Sequence, residues 1–177
     1  MRKEDNDIMI DTVIFDLDGT LLNTLEDLTD SVNAVMEQYG FPVHTMEEIR
    51  SRVGNGAAKL IERVLPRGLE EPAYEDILAA FREHYRIHCE DKTMPYEGVV
   101  QMLAAVKQAG YRMAVVSNKP DRAVKQLCAK FFGEYVQKAF GDSDGIKRKP
   151  APDLVYRALA ELSSEASCAV YVGDSEV

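Results

Sequence analysis

The chain has 177 residues, 46% of them hydrophobic, which suits one medium-sized domain or a core carrying an insertion. Lys and Arg number 21 against 30 Asp and Glu, a net charge of −9 that excludes the basic footprint of a nucleic-acid-binding or anionic-membrane-binding surface. No apolar run approaches the ~20 residues needed to span a bilayer.

The charged start, "MRKEDND", is followed by no apolar segment, so no secretory signal is expected. "DTVIFD" is short and rich in β-branched and aromatic residues, the composition of a fully buried strand. From Leu25 the pattern turns helical, with Leu25, Leu28, Val32, Val35, Met36 and Tyr39 on one face and Gly40 as a natural stop. Thr45 and Glu48 form a capping box for the next helix. "VGNGAAKLIERVL" reads as a Gly-Asn-Gly turn and a helix bearing Leu60, Ile61, Val64 and Leu65. "YEDILAAFREHYRIH" is a further helix that turns Ile77, Leu78, Phe81 and Tyr85 inward.

Beyond "MPYEG" the rhythm changes. "GVVQMLAAVKQAG", "DRAVKQLCAKFF" and "APDLVYRALAEL" read as helices, and "YRMAVVS", "YVQKAF" and "CAVYVGD" as strands. This alternation predicts right-handed βαβ units and an α/β fold, a Rossmann-like doubly wound parallel sheet. The all-helical stretch interrupts it, so residues 1–20 and 93–177 are assigned to the α/β core and residues 21–92 to an inserted α-helical cap. Cys89, Cys128 and Cys168 are odd in number and widely spaced, which argues for free thiols in a reducing, cytoplasmic setting.

In open α/β sheets ligands sit beyond the carboxyl ends of the strands. There the first strand, in "VIFDLDGTLLNT", delivers Asp16 and Asp18, and the second delivers Ser117 and Asn118. The turn after the third leads through "GDSDGIKRKP" to Lys149, and the fourth ends at Asp174 and Ser175. Carboxylate oxygens are hard ligands, and Mg²⁺ takes one or two of them with waters and substrate phosphate oxygens; Asp16 and Asp174 are placed for that. Asp16 can attack phosphorus as a nucleophile. Asp18 can protonate the leaving oxygen and later deprotonate water. Ser117 and the backbone N–H groups after it can hold phosphoryl oxygens, while Lys149 neutralises charge on them and on Asp16.

"DLDGTLLNT", "VVSNKP", "KRKPAPD" and "VGDS", in that order and over nearly the whole chain, resemble the four motifs of the haloacid dehalogenase superfamily of Mg²⁺-dependent phosphatases. "DGTLLNTLEDL" and "VGNGAAKLIERVL" are most similar to its phosphoglycolate phosphatase branch, whose helical cap is inserted between the first two motifs. The resemblance implies Asp16 as the phosphorylated nucleophile and Asp18 as general acid/base. It implies a Mg²⁺ held by Asp16, the Asp18 backbone carbonyl and Asp174, and phosphate handling by Thr20, Ser117, Asn118 and Lys149. The implied substrate is a small phosphorylated metabolite, 2-phosphoglycolate first, turned over by a cytoplasmic monomer or homodimer with strand one central in its sheet.

Two departures stand out. Asn23 occupies a position that is often acidic in the branch. A second Asp, expected four residues after Asp174, would fall one residue past Val177, so the core is expected to be truncated at its C-terminus.

Gly54, Asn55 and Gly56 read either as a plain turn or as a cap loop whose helix N-terminus holds a substrate carboxylate, with Arg52 and Lys59 nearby. Gly19 falls at the fourth position of "DLDG", which excludes an EF-hand, and "GDSDG" reads as a solvated loop. His84 and His88 have metal-ligand spacing but no third ligand beyond Cys89. A phosphosugar mutase or other small-metabolite phosphatase, phosphonate cleavage through a Schiff base on Lys59, and an inactive fragment or interaction module remain open alternatives.

Overall fold

The computed structural model describes residues 9–66 and 73–175. The start "MRKEDND" and Val177 lie outside the described residues. Strand β1 (Thr12–Phe15) is buried along its whole length, interior in its sheet and packed over on both faces. It pairs in parallel with β4 (Arg112–Pro120) from Thr12 opposite Arg112 to Phe15 opposite Val115, and with β6 (Ala169–Val172) from Thr12 opposite Ala169 to Phe15 opposite Val172. With β5 (Lys138–Asp142) outside β4, the sheet runs β5-β4-β1-β6, all parallel, so β1 is interior as expected.

The two-residue period of the strands divides the core between the sheet's faces. Val13, Phe15 and Val115 pack with Leu127 and Phe132 on one side, and Ile14, Ala114 and Val116 with Leu154, Ala158 and Leu159 on the other. The helices that supply these partners are α6 (Asp121–Phe132) and α7 (Asp153–Leu162). β6 is an edge strand among the described residues, with Val170, Tyr171 and Val172 each close to 40% exposed.

The stretch between β1 and β4 is helical, as its periodicity predicts: α1 (Leu25–Gln38), α2 (Met46–Arg50), α3 (Gly56–Val64) and α4 (Ala73–His88), followed by α5 (Val99–Gln108). The first four pack on one another through Leu28, Val32, Val35 and Met36 of α1 and Ile77, Leu78, Phe81 and Tyr85 of α4, and α3 also leans on β4. The capping box is present: the Thr45 N–H donates to Glu48 Oε2 at 2.8 Å and the Glu48 N–H to Thr45 Oγ1 at 3.3 Å. Tyr39 departs from the expectation, because α1 ends at Gln38 and Tyr39 stands 37% exposed beside Gly40.

Two features were not visible in the sequence. Short strands β2 (Leu22–Asn23) and β3 (Met94–Pro95) pair antiparallel, so the chain leaves for the helices and returns through one ribbon. Beside it, the buried Asp27 carboxylate accepts the Lys92 N–H at 2.9 Å and the Thr93 N–H at 2.9 Å, tying the start of α1 to the returning strand. Among the described residues no helix is long and apolar enough to cross a membrane. All three cysteines are free, Cys89 and Cys128 buried and Cys168 half-buried.

Candidate active site

Parallel strands present their carboxyl ends along one edge, and a cleft of about 480 Å³ opens there between the sheet and the inserted helices. Asp16, Asp18, Ser117, Asn118, Lys149 and Asp174 all line it, so residues up to 158 positions apart in sequence converge as the strand-end reading expects.

Asp16 follows β1 directly and its side chain is only 10% exposed. Oδ1 accepts the Leu17 N–H at 2.7 Å and Oδ2 accepts Lys149 Nζ at 2.6 Å. Burial pushes the Asp16 carboxyl up from the ordinary aspartate value, while Lys149 and the Leu17 N–H pull it back. The Lys149 ammonium also donates to the Tyr171 hydroxyl at 2.7 Å. Burial, with Asp16 and Asp174 nearby, holds that phenol's pKa above the ordinary tyrosine value.

Asn118 is buried, and its amide is already committed. Nδ2 donates to the Lys149 carbonyl at 3.0 Å and to the Gly54 carbonyl at 3.2 Å, and Oδ1 accepts the Lys149 N–H at 2.8 Å. Its side chain therefore fixes the backbone of Lys149 and the Gly-Asn-Gly loop. Ser117 is buried at the same edge, where its hydroxyl accepts the Lys119 N–H at 3.2 Å. The strand predicted to end at Ser117 runs on to Pro120, but its pairing with β5 shifts between Val116 and Pro120. That irregularity turns residues 117–119 out of the ladder and toward the cleft.

Lys119, the lysine of "VVSNKP", carries no role predicted from the sequence. Its Nζ donates to Asp18 at 2.8 Å (Oδ1) and 3.0 Å (Oδ2), and Asp18 Oδ1 also accepts the Thr24 hydroxyl at 2.6 Å. Burial by itself would depress the Lys119 ammonium, but Asp18 and Tyr85 outweigh it and its pKa stands above that of ordinary lysine. The signal that could have found it is a lysine at the carboxyl end of a buried strand, where an ammonium needs a carboxylate partner.

Asp174 lies against Gly19. The φ of +77° at Gly19 is left-handed backbone that favours glycine, and a Cβ there would sit 2.3 Å from Asp174 Oδ2, so a larger residue would push the Asp174 carboxylate aside. Thr20 Oγ1 donates to Asp174 Oδ1 at 3.3 Å. Among the described residues no cluster of three or more His, Cys, Asp or Glu side chains forms a metal cage. The hard donors at this edge are two carboxylates, Asp16 and Asp174, with the Asp18 side chain spent on Lys119 and Thr24. Gly19→Ala is expected to displace Asp174, costing about 1–3 kcal/mol in unfolding free energy and about 10- to 100-fold in affinity for a divalent cation. Thermal melts and cation titration by calorimetry read both effects.

Of the loop residues, Gly54 and Gly56 line the cleft, whereas the Asn55 side chain turns away to accept Arg63 Nη2 at 2.6 Å. A Cβ on Gly56 would lie 3.1 Å from the Asn118 carbonyl oxygen, so the loop rests closely on the strand end. Arg52 reaches His44, and Lys59 pairs with Glu62 at 2.6 Å on an exposed helix face, with neither lining the cleft. That placement gives no support to a Schiff base on Lys59. His84 bonds Ser31, and His88 bonds Asp91 at 2.8 Å.

The chain belongs to the haloacid dehalogenase-like hydrolase family, whose model matches residues 13–177. It is 35% identical over 169 residues to phosphoglycolate phosphatase 1 of Pseudomonas aeruginosa, covering 92% of this chain and 62% of that one. It is 29% identical to the N-acetylmuramic acid 6-phosphate phosphatase of the same organism, covering 92% of this chain and 72% of that one. Among solved structures it is similar to a protein of Lactobacillus delbrueckii subsp. bulgaricus provisionally named phosphoglycolate phosphatase, with a TM-score of 0.88 and 32% identity over 95% of this chain and 80% of that one. The chain thus spans about three fifths of the length of the first of these relatives.

Proposed function

We propose that this chain hydrolyses phosphomonoesters through an aspartyl-phosphate intermediate, with 2-phosphoglycolate as the leading substrate. The observation that carries the reading is the buried Asp16 carboxylate gripped by Lys149 at 2.6 Å, in one cleft with a second, separately held carboxylate, Asp18. The names of the relatives support the reaction class and, through phosphoglycolate phosphatase 1, the substrate.

Asp16 attacks phosphorus in line, forming the aspartyl-phosphate as the ester P–O bond breaks. Asp18 gives its proton to the departing alkoxide. Water then attacks the same phosphorus, its proton passing to Asp18, and the bond to Asp16 breaks to release inorganic phosphate. Lys149 stays charged and stabilises negative charge on the phosphoryl oxygens, with the Ser117 hydroxyl beside it. Asp16, the Asp18 backbone carbonyl and Asp174 would hold Mg²⁺, whose ligand preference this hard oxygen set matches. When bound, that ion neutralises charge on the phosphoryl group in an otherwise acidic chain.

In this reading residues 21–92 act as a cap over a core made of the rest. The β2–β3 ribbon and the Asp27 clasp are its hinge, and Gly54 and Gly56 carry the edge that meets the substrate. The test is phosphate release with Mg²⁺ from a panel of phosphomonoesters ranked by kcat/KM. The expected result is Mg²⁺-dependent release with 2-phosphoglycolate first; release from none of the esters would overturn the reading.

A further inference from the structure

Lys119 takes no part in the reaction as described, yet its side chain is only 3% exposed, less than the 6% of Lys149. A buried ammonium is costly unless its environment compensates it, and here two things do. On one side it meets both oxygens of Asp18. On the other it stands 4.6 Å from the ring centroid of Tyr85 on α4, a cation–π arrangement. Tyr85 is itself buried, stacked on Phe81 with centroids 5.8 Å apart, and its hydroxyl has no hydrogen-bond partner among the described residues. What this tyrosine offers Lys119 is its face.

Asp18 is therefore held by two donors, one of which is itself tied to a third element. Lys119 reaches it from the irregular end of β4, and Thr24 reaches it from the segment leading into α1. The Lys119 contact with Tyr85 links the same carboxylate to α4. Oδ1 takes two donors, at 2.6 and 2.8 Å, whereas Oδ2 takes only the longer contact at 3.0 Å. The less engaged oxygen is the one left to carry a transferred proton.

We propose that Lys119, seated on the Tyr85 face, is a positioning residue that aims Asp18 at the ester oxygen and couples that aim to the position of α4. The proposal rests on the phosphatase reading above. Lys119 remains an ammonium throughout; the proton moves from Asp18 Oδ2 to the departing oxygen in the first step and from water to Asp18 in the second. Misplacing a proton donor by about 1 Å is enough to cost on the order of 100-fold.

The test compares an alkyl ester, 2-phosphoglycolate, with p-nitrophenyl phosphate, whose leaving group departs without a proton. Because kcat/KM reports the steps through the first phosphoryl transfer, the ratio of its values for the two esters isolates proton delivery. Lys119→Met is expected to lower that ratio at least about tenfold. Tyr85→Leu is expected to lower it in the same direction, and Tyr85→Phe, which keeps the ring, to restore it. Tyr85→Leu carries the test if Lys119→Met does not fold, as judged by circular dichroism.

An equal fall on both esters would overturn the proposal, since a lysine that binds phosphate directly, or one that only holds the fold, would treat them alike. An unchanged ratio in the Lys119 and Tyr85 variants would overturn it too. Release of no phosphate by the wild-type chain from either ester would overturn the phosphatase reading and this assignment with it.

Discussion

Asp16→Asn is expected to lower turnover by about 10⁴-fold or more and to leave no acid-trappable phosphoenzyme, because the amide cannot serve as the attacking oxyanion. The substitution is nearly isosteric. The Leu17 N–H can still donate to the side-chain oxygen that now meets it at 2.7 Å, while the new amide NH2 takes the place of the oxygen that accepted from Lys149, so the ammonium loses its acceptor and must shift away. A fold that stays intact by circular dichroism would therefore tie the loss to chemistry. Phosphate release within about tenfold of wild type would remove Asp16 from the nucleophile's role.

Lys149→Met keeps the side-chain stem and removes the charge, and is expected to lower kcat by about 10²- to 10³-fold at neutral pH. Two consequences follow from the contacts of its ammonium. In the proposed reaction the phosphoryl oxygens lose a buried cation beside the nucleophile, and Asp16 loses the ion pair that counters its burial. Burial raises the Asp16 pKa and Lys149 lowers it, so removing Lys149 raises it further. A smaller fraction of Asp16 is then ionised at a given pH, and the acidic limb of the pH–rate profile moves to higher pH. A pH series of kcat for the two proteins checks this, and a limb that stays in place would show that Lys149 does not set the ionisation of Asp16. Tyr171, which accepts from the same ammonium at 2.7 Å, has a cation–π contact with it as well, its ring centroid 5.4 Å from Nζ.

The elements were legible where local rules dominate. The helix over "DRAVKQLCAKFF" matches α6 residue for residue, and the Thr45–Glu48 capping box is made as written, because periodicity and capping are properties of a few neighbouring residues. The strand ends were legible because a parallel sheet must send its carboxyl ends to one edge, which brings Asp16, Asp18, Ser117, Lys149 and Asp174 together whatever fills the space between. The role of Asn118 was not legible in the same way. Its amide meets Lys149 and Gly54, residues 31 and 64 positions away, and no periodicity reports such a meeting. The Asn55 side chain likewise turns to Arg63, a choice made by the packing of α3.

By itself, then, the sequence determined the α/β alternation, the helical interruption and the set of strand-end side chains, since each depends on residue type at short range. The tertiary structure alone decided which charges pair: Lys149 with Asp16, Lys119 with Asp18, and the Tyr85 ring with Lys119. Those pairings span 133, 101 and 34 residues respectively, so only the folded chain, which must compensate each buried charge, could fix them.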